Sequence, residues 1–334
     1  MRATIKDVAR TAGVSTATVS NVLTQKKYVS EEITLKVKTA MRELGYQPNT
    51  IARSLKVKRT FRIGVTVPDI TNPFFGEIVE SAERVANDYG FQITLCTSEN
   101  NAVKEGKILD TFLSTGVDGI INVAPILSDT KLNKTISVPM VIVDRPHFNT
   151  RKNLAFVYAD NYNASAGVAR HFIQNGYKKF ICFAGQVDKI PNAKRRLEGF
   201  MDELLINGFS EDDCQVFYSD FTFESGYQTM MDFLEKHPLD IKYAAYISSD
   251  IMAWGAMEAL KTKGYKLPRD MGIIGYDNIY FSKFLYPGLT TVENPTKDLG
   301  SFSMNLIMDS IMGQQELAGK YIVLSSALIL RQSD

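Results

Sequence analysis

The sequence predicts an N-terminal three-helix head followed by a two-lobed α/β body built from two doubly wound parallel sheets. Three observations lead there. The chain has 334 residues, room for about two domains. Basic residues are concentrated in the first 60, and from Phe61 onward short apolar strands alternate with amphipathic helices in two successive series. With 45% hydrophobic and 22% charged residues, the composition is that of a globular chain and excludes wholesale disorder.

The head is marked first by charge. A net charge of +1 for the whole chain conceals 12 Lys and Arg against 4 Asp and Glu in residues 1–60, leaving 26 basic and 33 acidic residues for the rest. A basic excess confined to a small segment is the electrostatic footprint of a nucleic-acid-binding head.

Periodicity then gives the head its helices. In TIKDVARTAG, Thr4 can cap a helix with Asp7 in its first turn, and Ile5, Val8 and Ala9 share one face before Gly13 stops it. Ser15 opens a second helix in VSTATVSNVL, with Val19, Val22 and Leu23 turned inward and Thr16, Ala17, Thr18, Ser20 and Asn21 pointing elsewhere. A third runs from a Ser30 cap to Leu44, with Gly45 as its stop. Two short helices joined by a tight glycine turn and completed by a third make a helix-turn-helix layout. Small polar residues at the start of the second helix suit a major groove, where hydroxyls and an amide meet base edges or phosphates and a methyl meets thymine. Any small three-helix bundle shares this periodicity. In the connecting stretch QPNTIARSLKVKRT, Pro48 ends what precedes it and Asn49 can cap; Thr50 to Val57 then make only about two helical turns, marginal in isolation.

The body's first series is RIGVTVP, a helix from Phe75 to Tyr89, QITLCTS, a helix from Lys104 to Thr115, GIINVAP and VPMVIVDR. The second is AFVYADN, Ala164 to Asn175, KKFICFAG, Lys194 to Asn207, QVFYSD, Ser225 to Lys236, AAYISSD, Ala253 to Lys263 and MGIIGYDN. LTTVENP and a helix from Leu299 to Met312 are expected to return to the first lobe. Ligands of such folds lie beyond the carboxyl ends of the strands. Those ends carry Asp69, Asn72, Asp144, Arg145, Asp160, Asn161, Asp250, Asp277 and Asn278, planar groups suited to a small, hydroxyl-rich ligand, with Phe74, Phe75 and Phe221 available to cover its C–H faces.

The run TIKDVARTAGVSTATVSNVL, followed by VSEEITLKVKTAMRELGYQPNTIARSLK, resembles the head of the lactose-repressor and galactose-repressor family of bacterial transcription regulators. The resemblance implies that Ser15 to Leu23 is the recognition helix, with Thr16, Ala17 and Asn21 reading bases. Thr18, Ser20 and Tyr28 would hold phosphates, and Thr4 and Ser15 belong to the same DNA-binding surface. The family's hinge helix enters the minor groove as a pair and wedges a leucine into the central base step. Leu55 occupies that position, with Ala52 a turn back and Arg53 and Lys56 alongside, an apolar wedge flanked by cations.

Residues 61 to 334 resemble the family's effector domain, which is similar to periplasmic sugar-binding proteins and ribose-repressor-like in its pattern. The implied domains are 1–47 for the head, 48–60 for the hinge and 61–334 for the effector domain. Its first lobe would comprise about 61–160 and 294–322, its second about 161–291 and 323–334. Against the pentose-binding pattern, Asn72, Phe74, Phe75, Asp144, Arg145, Asn161, Arg196 and Asp277 fall at sugar-contacting positions, and Phe221 fits a further aromatic one. Where many sugar binders have Asn-Asp, this chain has Ser249-Asp250; Ser249 reaches less far, which leaves the sugar's identity open.

The function so implied is a sequence-specific regulator: a homodimer repressing a sugar-utilisation operon from a palindromic double-stranded DNA operator, released by ribose or a related monosaccharide. A purine, a sugar phosphate or a phosphocarrier protein as effector or co-effector remains an alternative within the family. A solute-binding protein is the rival from another class, and it would need a signal peptide and no basic head. MRATIKDVAR has no secretory apolar stretch, and nothing later approaches about 18 consecutive apolar residues; a cytoplasmic protein is expected, nucleoid-associated when bound. No cofactor or metal is expected. The chain lacks G-x-S-x-G, a P-loop and H-E-x-x-H, so nothing points to an enzyme. His147, His171 and His237 are scattered, and Cys96, Cys182 and Cys214 lack a C-x-x-C spacing, reading as buried thiols.

Overall fold

Reciprocal capping starts the first helix. The Thr4 hydroxyl accepts from the Asp7 N–H while the Asp7 carboxylate accepts from the Thr4 N–H at 3.0 Å, opening α1 (Ile5–Ala12), which Gly13 ends at φ 66°. The computed structural model describes residues 3–24, 27–47, 59–126, 136–145, 152–237, 239 and 241–334. They form two units, Met1–Thr60 and Phe61–Asp334. In the first unit, α2 (Thr16–Thr24) begins under Ser15, whose Oγ accepts from the Thr18 N–H at 3.0 Å. Ser30 caps α3 (Glu31–Glu43). Val8, Ala9, Val19, Val37 and Ala40 form the buried core, with Val22 and Leu23 packed against it.

In the second unit, the chain runs through β1 (Arg62–Val67), α4 (Pro73–Asp88), β2 (Gln92–Thr97), α5 (Ala102–Thr115), β3 (Gly119–Val123), β4 (Met140–Val143) and β5 (Leu154–Ala159). It continues through α6 (Asn161–Gln174), β6 (Lys179–Ala184), α7 (Pro191–Ile206), β7 (Cys214–Tyr218), α8 (Phe223–Lys236), β8 (Tyr243–Ile247), α9 (Asp250–Thr262) and β9 (Met271–Asp277). A 3-10 turn (Tyr280–Phe284), β10 (Thr290–Glu293), α10 (Thr296–Ile311), β11 (Lys320–Leu324) and β12 (Ala327–Ile329) complete it.

The strands form two six-stranded sheets, ordered β11-β5-β4-β3-β1-β2 and β12-β10-β9-β8-β6-β7. The pairings are parallel except for β12 on β10. Strands such as β3 and β9 are buried along their whole length, the mark of sheets covered on both faces. On the first sheet, Ile63, Val65 and Val143 pack toward α4 and α10, while Ile120, Ile142 and Phe156 pack toward α5. On the second, Phe183 and Ile247 face α8 and α9, while Phe180 and Tyr246 face α6 and α7. Cys182 and Cys214 are buried, and Cys96 is half-buried.

Two expectations about chain order need correction. AFVYADN, expected to open the second series, is β5 of the first sheet, paired with β4 and β11; its residues alternate between that sheet's two cores. LTTVENP, expected in the first lobe, places β10 in the second sheet beside β9. Its threonines belong there: Thr291 Oγ1 donates to Asp250 and the Thr290 N–H donates to Ser333 Oγ. The lobes are therefore crossed between β5 and α6, between β10 and α10, and between β11 and β12. Several helices also start two or three residues before their expected positions, because strand-end polar residues such as Asn72 and Asp160 act as their caps.

Candidate functional site

The tips of the two sheets enclose a cavity of about 320 Å³, within the range of small-molecule sites. From the first lobe it is lined by Asn72, Phe74, Phe75, Asp144 and Arg145; from the second by Arg196, Phe221, Ser249 and Asp277. The structure thus brings together nine of the ten residues singled out for effector binding. The tenth, Asn161, stands behind the wall, where its Oδ1 accepts from Arg196 Nε at 2.7 Å.

Arg196 is held on every side. Its Nη1 donates to the Ser248 carbonyl at 2.7 Å, its Nη2 lies 3.7 Å from Asp277 Oδ1, and its guanidinium stacks 3.7 Å from the Tyr276 ring centroid. A fork so fixed presents its remaining donors to the cavity in a set direction. Across the cavity, Asp144 accepts from Asn192 Nδ2 at 2.6 Å, a bond joining the two lobes. Asp144 and Asp277 both lie in the left-handed region, at φ 75° and 114°. Strain of this kind is stored where a side chain must be aimed.

Aromatic rings line the cavity from both lobes. Phe74 and Phe75 meet edge to face at 5.0 Å, and Phe221 lies over Gly185, where any Cβ would collide with its ring. Two polar atoms of the wall, Arg145 Nε and Ser249 Oγ, are buried with no hydrogen-bond partner among the described residues. Such orphans carry a desolvation cost that a bound ligand relieves. Asp250 does not face the cavity; it accepts from the Ile279 N–H at 3.0 Å and from Ser282 and Thr291 hydroxyls at 2.5 Å, bracing the segment after Asp277.

Burial pushes the Asp277 carboxyl up to about 8, against the pull of Arg196, and the Asp250 carboxyl up to about 6. The folded protein therefore holds protons that the unfolded chain, with ordinary carboxylates, releases. Their stabilising contribution is complete at pH below about 4 and is lost as pH rises through about 6 and about 8. The ligand-free melting temperature is expected to fall between pH 6 and pH 9, and to fall less in Asp277→Asn; thermal scans of both proteins over that range check this.

Gln186, Asp220, Lys189, Asn100 and Asn192 also line the cavity and escaped the sequence reading. Asn192 carried a signal: it precedes Arg196 by four residues in one helix and so shares its face. The histidines lie elsewhere: His171 bonds Asp334 at 2.5 Å, His237 stacks on Phe233, and His147 falls outside the described residues. Among the described residues no group of His, Cys, Asp and Glu could hold a metal ion, and no helix is long and apolar enough to cross a membrane.

In the head, Ser15, Thr16 and Ala17 are exposed at the start of α2, whereas Thr18, Ser20 and Asn21 are half-buried. Ser15 and Thr18 share a hydroxyl contact of 2.9 Å, and Thr4 is engaged in capping α1. Tyr28 is 94% exposed. Ala52, Arg53, Leu55 and Lys56 lie outside the described residues.

Residues 60–324 match the family described as periplasmic binding proteins and sugar binding domain of the LacI family, and residues 4–49 match the bacterial regulatory proteins of the lacI family. The chain is 34% identical to the ribose operon repressor of Escherichia coli over 335 residues, covering 99% of each chain. It is 33% identical to the transcriptional repressor PurR of Histophilus somni over 334 residues, covering 99% of this chain and 98% of that one. Among solved structures, the lac repressor dimer bound to operator and the anti-inducer ONPF superposes with a TM-score of 0.85 at 26% identity, over 100% of this chain and 99% of that one. With a helix-turn-helix head, a two-lobed body and these relatives, the chain belongs to the LacI family of DNA-binding transcriptional regulators.

Proposed function

We propose that this regulator is a homodimeric repressor of a sugar-utilisation operon, released from a palindromic operator by a free monosaccharide, ribose or a related aldose. The observation that carries the ligand class is the cavity's polarity. Asp144 and Asp277 formally balance Arg145 and Arg196, and at the rim Lys189 is outnumbered by Asp69 and Asp220. A wall without positive excess favours an uncharged polyol over a phosphorylated one. The ribose operon repressor among the relatives supports the same class. A purine is the second reading, favoured by the PurR relative and by aromatic rings contributed from both lobes.

Thr16, Ala17 and Asn21 would read bases in the major groove, with Thr18, Ser20 and Tyr28 on phosphates, and Arg53, Leu55 and Lys56 at the minor groove. A homodimer is supported by an exposed aromatic ridge on the second lobe, in which Trp254, Phe281, Tyr280 and Phe284 touch in succession. The protein would act in the cytoplasm, on the nucleoid. Effector binding would alter operator affinity through a coupling of about 1–3 kcal/mol.

A thermal-shift screen against pentoses, hexoses, their phosphates, nucleosides and purine bases tests the reading. A free sugar at 100 times its Kd is expected to stabilise the protein by about 2.7 kcal/mol. A shift only with a purine or a sugar phosphate overturns the polyol assignment, and a blank screen replaces it with a protein co-effector.

A further inference from the structure

Glu105 lies in the first turn of α5, 1% exposed and behind the cavity wall rather than in it. One carboxylate oxygen accepts from Asn122 Nδ2 at 2.7 Å; the other accepts from the Ile126 N–H at 2.9 Å. Asn122 is in β3, and Ile126 lines the cavity just after Ala124, whose φ is 49°. Glu105 thus fastens the loop that leads from the first sheet to the ligand.

The same carboxylate acts on Arg145. Burial disfavours the Arg145 charge, and Asp144, then Glu105, are the groups that restore it. Arg145 Nη1 reaches the Pro125 carbonyl at 3.4 Å, at the loop that Glu105 holds, while Nε is left without a partner among the described residues. The guanidinium is anchored from behind and keeps a donor in the cavity wall.

The bonds to Asn122 and Ile126 do not by themselves require the charge. Asn122 Oδ1 is itself unpartnered, so a glutamine at 105 could take the Ile126 N–H on its oxygen and donate its amide to a flipped Asn122. A buried carboxylate carries a desolvation cost that a nearby cation offsets.

We propose that Glu105 is a positioning residue for effector recognition, the buried counter-charge that fixes the Arg145 guanidinium against the ligand cavity. The proposal rests on the reading of that cavity as the effector site, so its test has one arm with ligand and one without. In the full-length protein, Glu105→Gln is expected to fold and to bind D-ribose roughly tenfold more weakly by calorimetry, the weight of one charge-assisted contact. Wild-type affinity in that variant overturns the proposal.

The ligand-free arm compares urea unfolding of the wild type, Glu105→Gln, Arg145→Met and the double variant. Coupling predicts that the effect of Glu105→Gln changes markedly once Arg145 is replaced. A merely structural glutamate gives the same effect in both backgrounds, and additivity overturns the proposal. If the wild type does not bind D-ribose, the ligand assignment fails, and the unfolding cycle alone decides the Glu105–Arg145 link.

Discussion

Asp277→Asn is expected to abolish the release of operator by D-ribose and to leave operator affinity in the absence of sugar unchanged. Three features lead to this outcome. Asp277 lies 3.7 Å from Arg196 in a buried corner of the cavity, so the hydrogen bonds of its carboxyl group form where water does not compete. Its backbone has a positive φ of 114°, and asparagine, the same size and shape as aspartate, is the replacement least disturbing to the loop there. The head is a separate unit, Met1–Thr60. Asp277→Ala is the harsher change: it strips the buried Arg196 of its carboxyl neighbour and leaves space beside it unfilled. Operator titrations by fluorescence anisotropy, with and without D-ribose, read the result. A normal response in the asparagine variant removes Asp277 from the site.

The second large effect is expected from Leu55→Ala, which lowers operator affinity about a hundredfold while D-ribose still raises the melting temperature as in the wild type. The segment from Thr50 to Val57 is too short to hold a helix alone. Its stability on DNA would come from what it packs against, and Leu55, at the wedge position the family resemblance implies, would supply an apolar contact between base steps beside Arg53 and Lys56. Trimming that leucine to a methyl removes the wedge and leaves the phosphate contacts. Residual binding is therefore expected to stay steeply salt-dependent. Operator affinity equal to the wild type's at the same salt concentration excludes the wedge.

The fold was legible wherever local chemistry decides it. Thr4, Gly13, Ser15 and Ser30 mark helix ends because a hydroxyl or a missing Cβ acts within one turn, and the structure uses each of them so. AFVYADN and LTTVENP were misplaced because an apolar strand buried on both faces says nothing of which sheet it enters; partners such as Asp250 and Ser333, distant in sequence, decide it. The cavity was legible from strand-end polar residues, yet the same pattern includes Asp160, which caps α6, and Asp250, which braces a loop. Chemistry alone does not separate those uses, because a carboxylate that ends a strand can accept from the next helix or from a ligand. Asn192 and Gln186 were missed for the converse reason: they lie on a helix and a loop whose approach to the cleft is set by tertiary packing.

The three crossings between the lobes also dictate an order of events during synthesis. Each sheet takes one edge strand from the last stretch of the body, β11 in the first and β12 in the second. The first lobe further waits for α10, in which Gly300 packs directly on the Ile78 backbone of α4. Neither lobe can close until residues near 320–329 have been synthesised, about 13 to 54 seconds after those near 60 at about 5–20 residues per second. The head, held together by contacts within its own 60 residues, can fold at once. For that interval the nascent chain carries a folded helix-turn-helix head before the effector domain that would govern it exists.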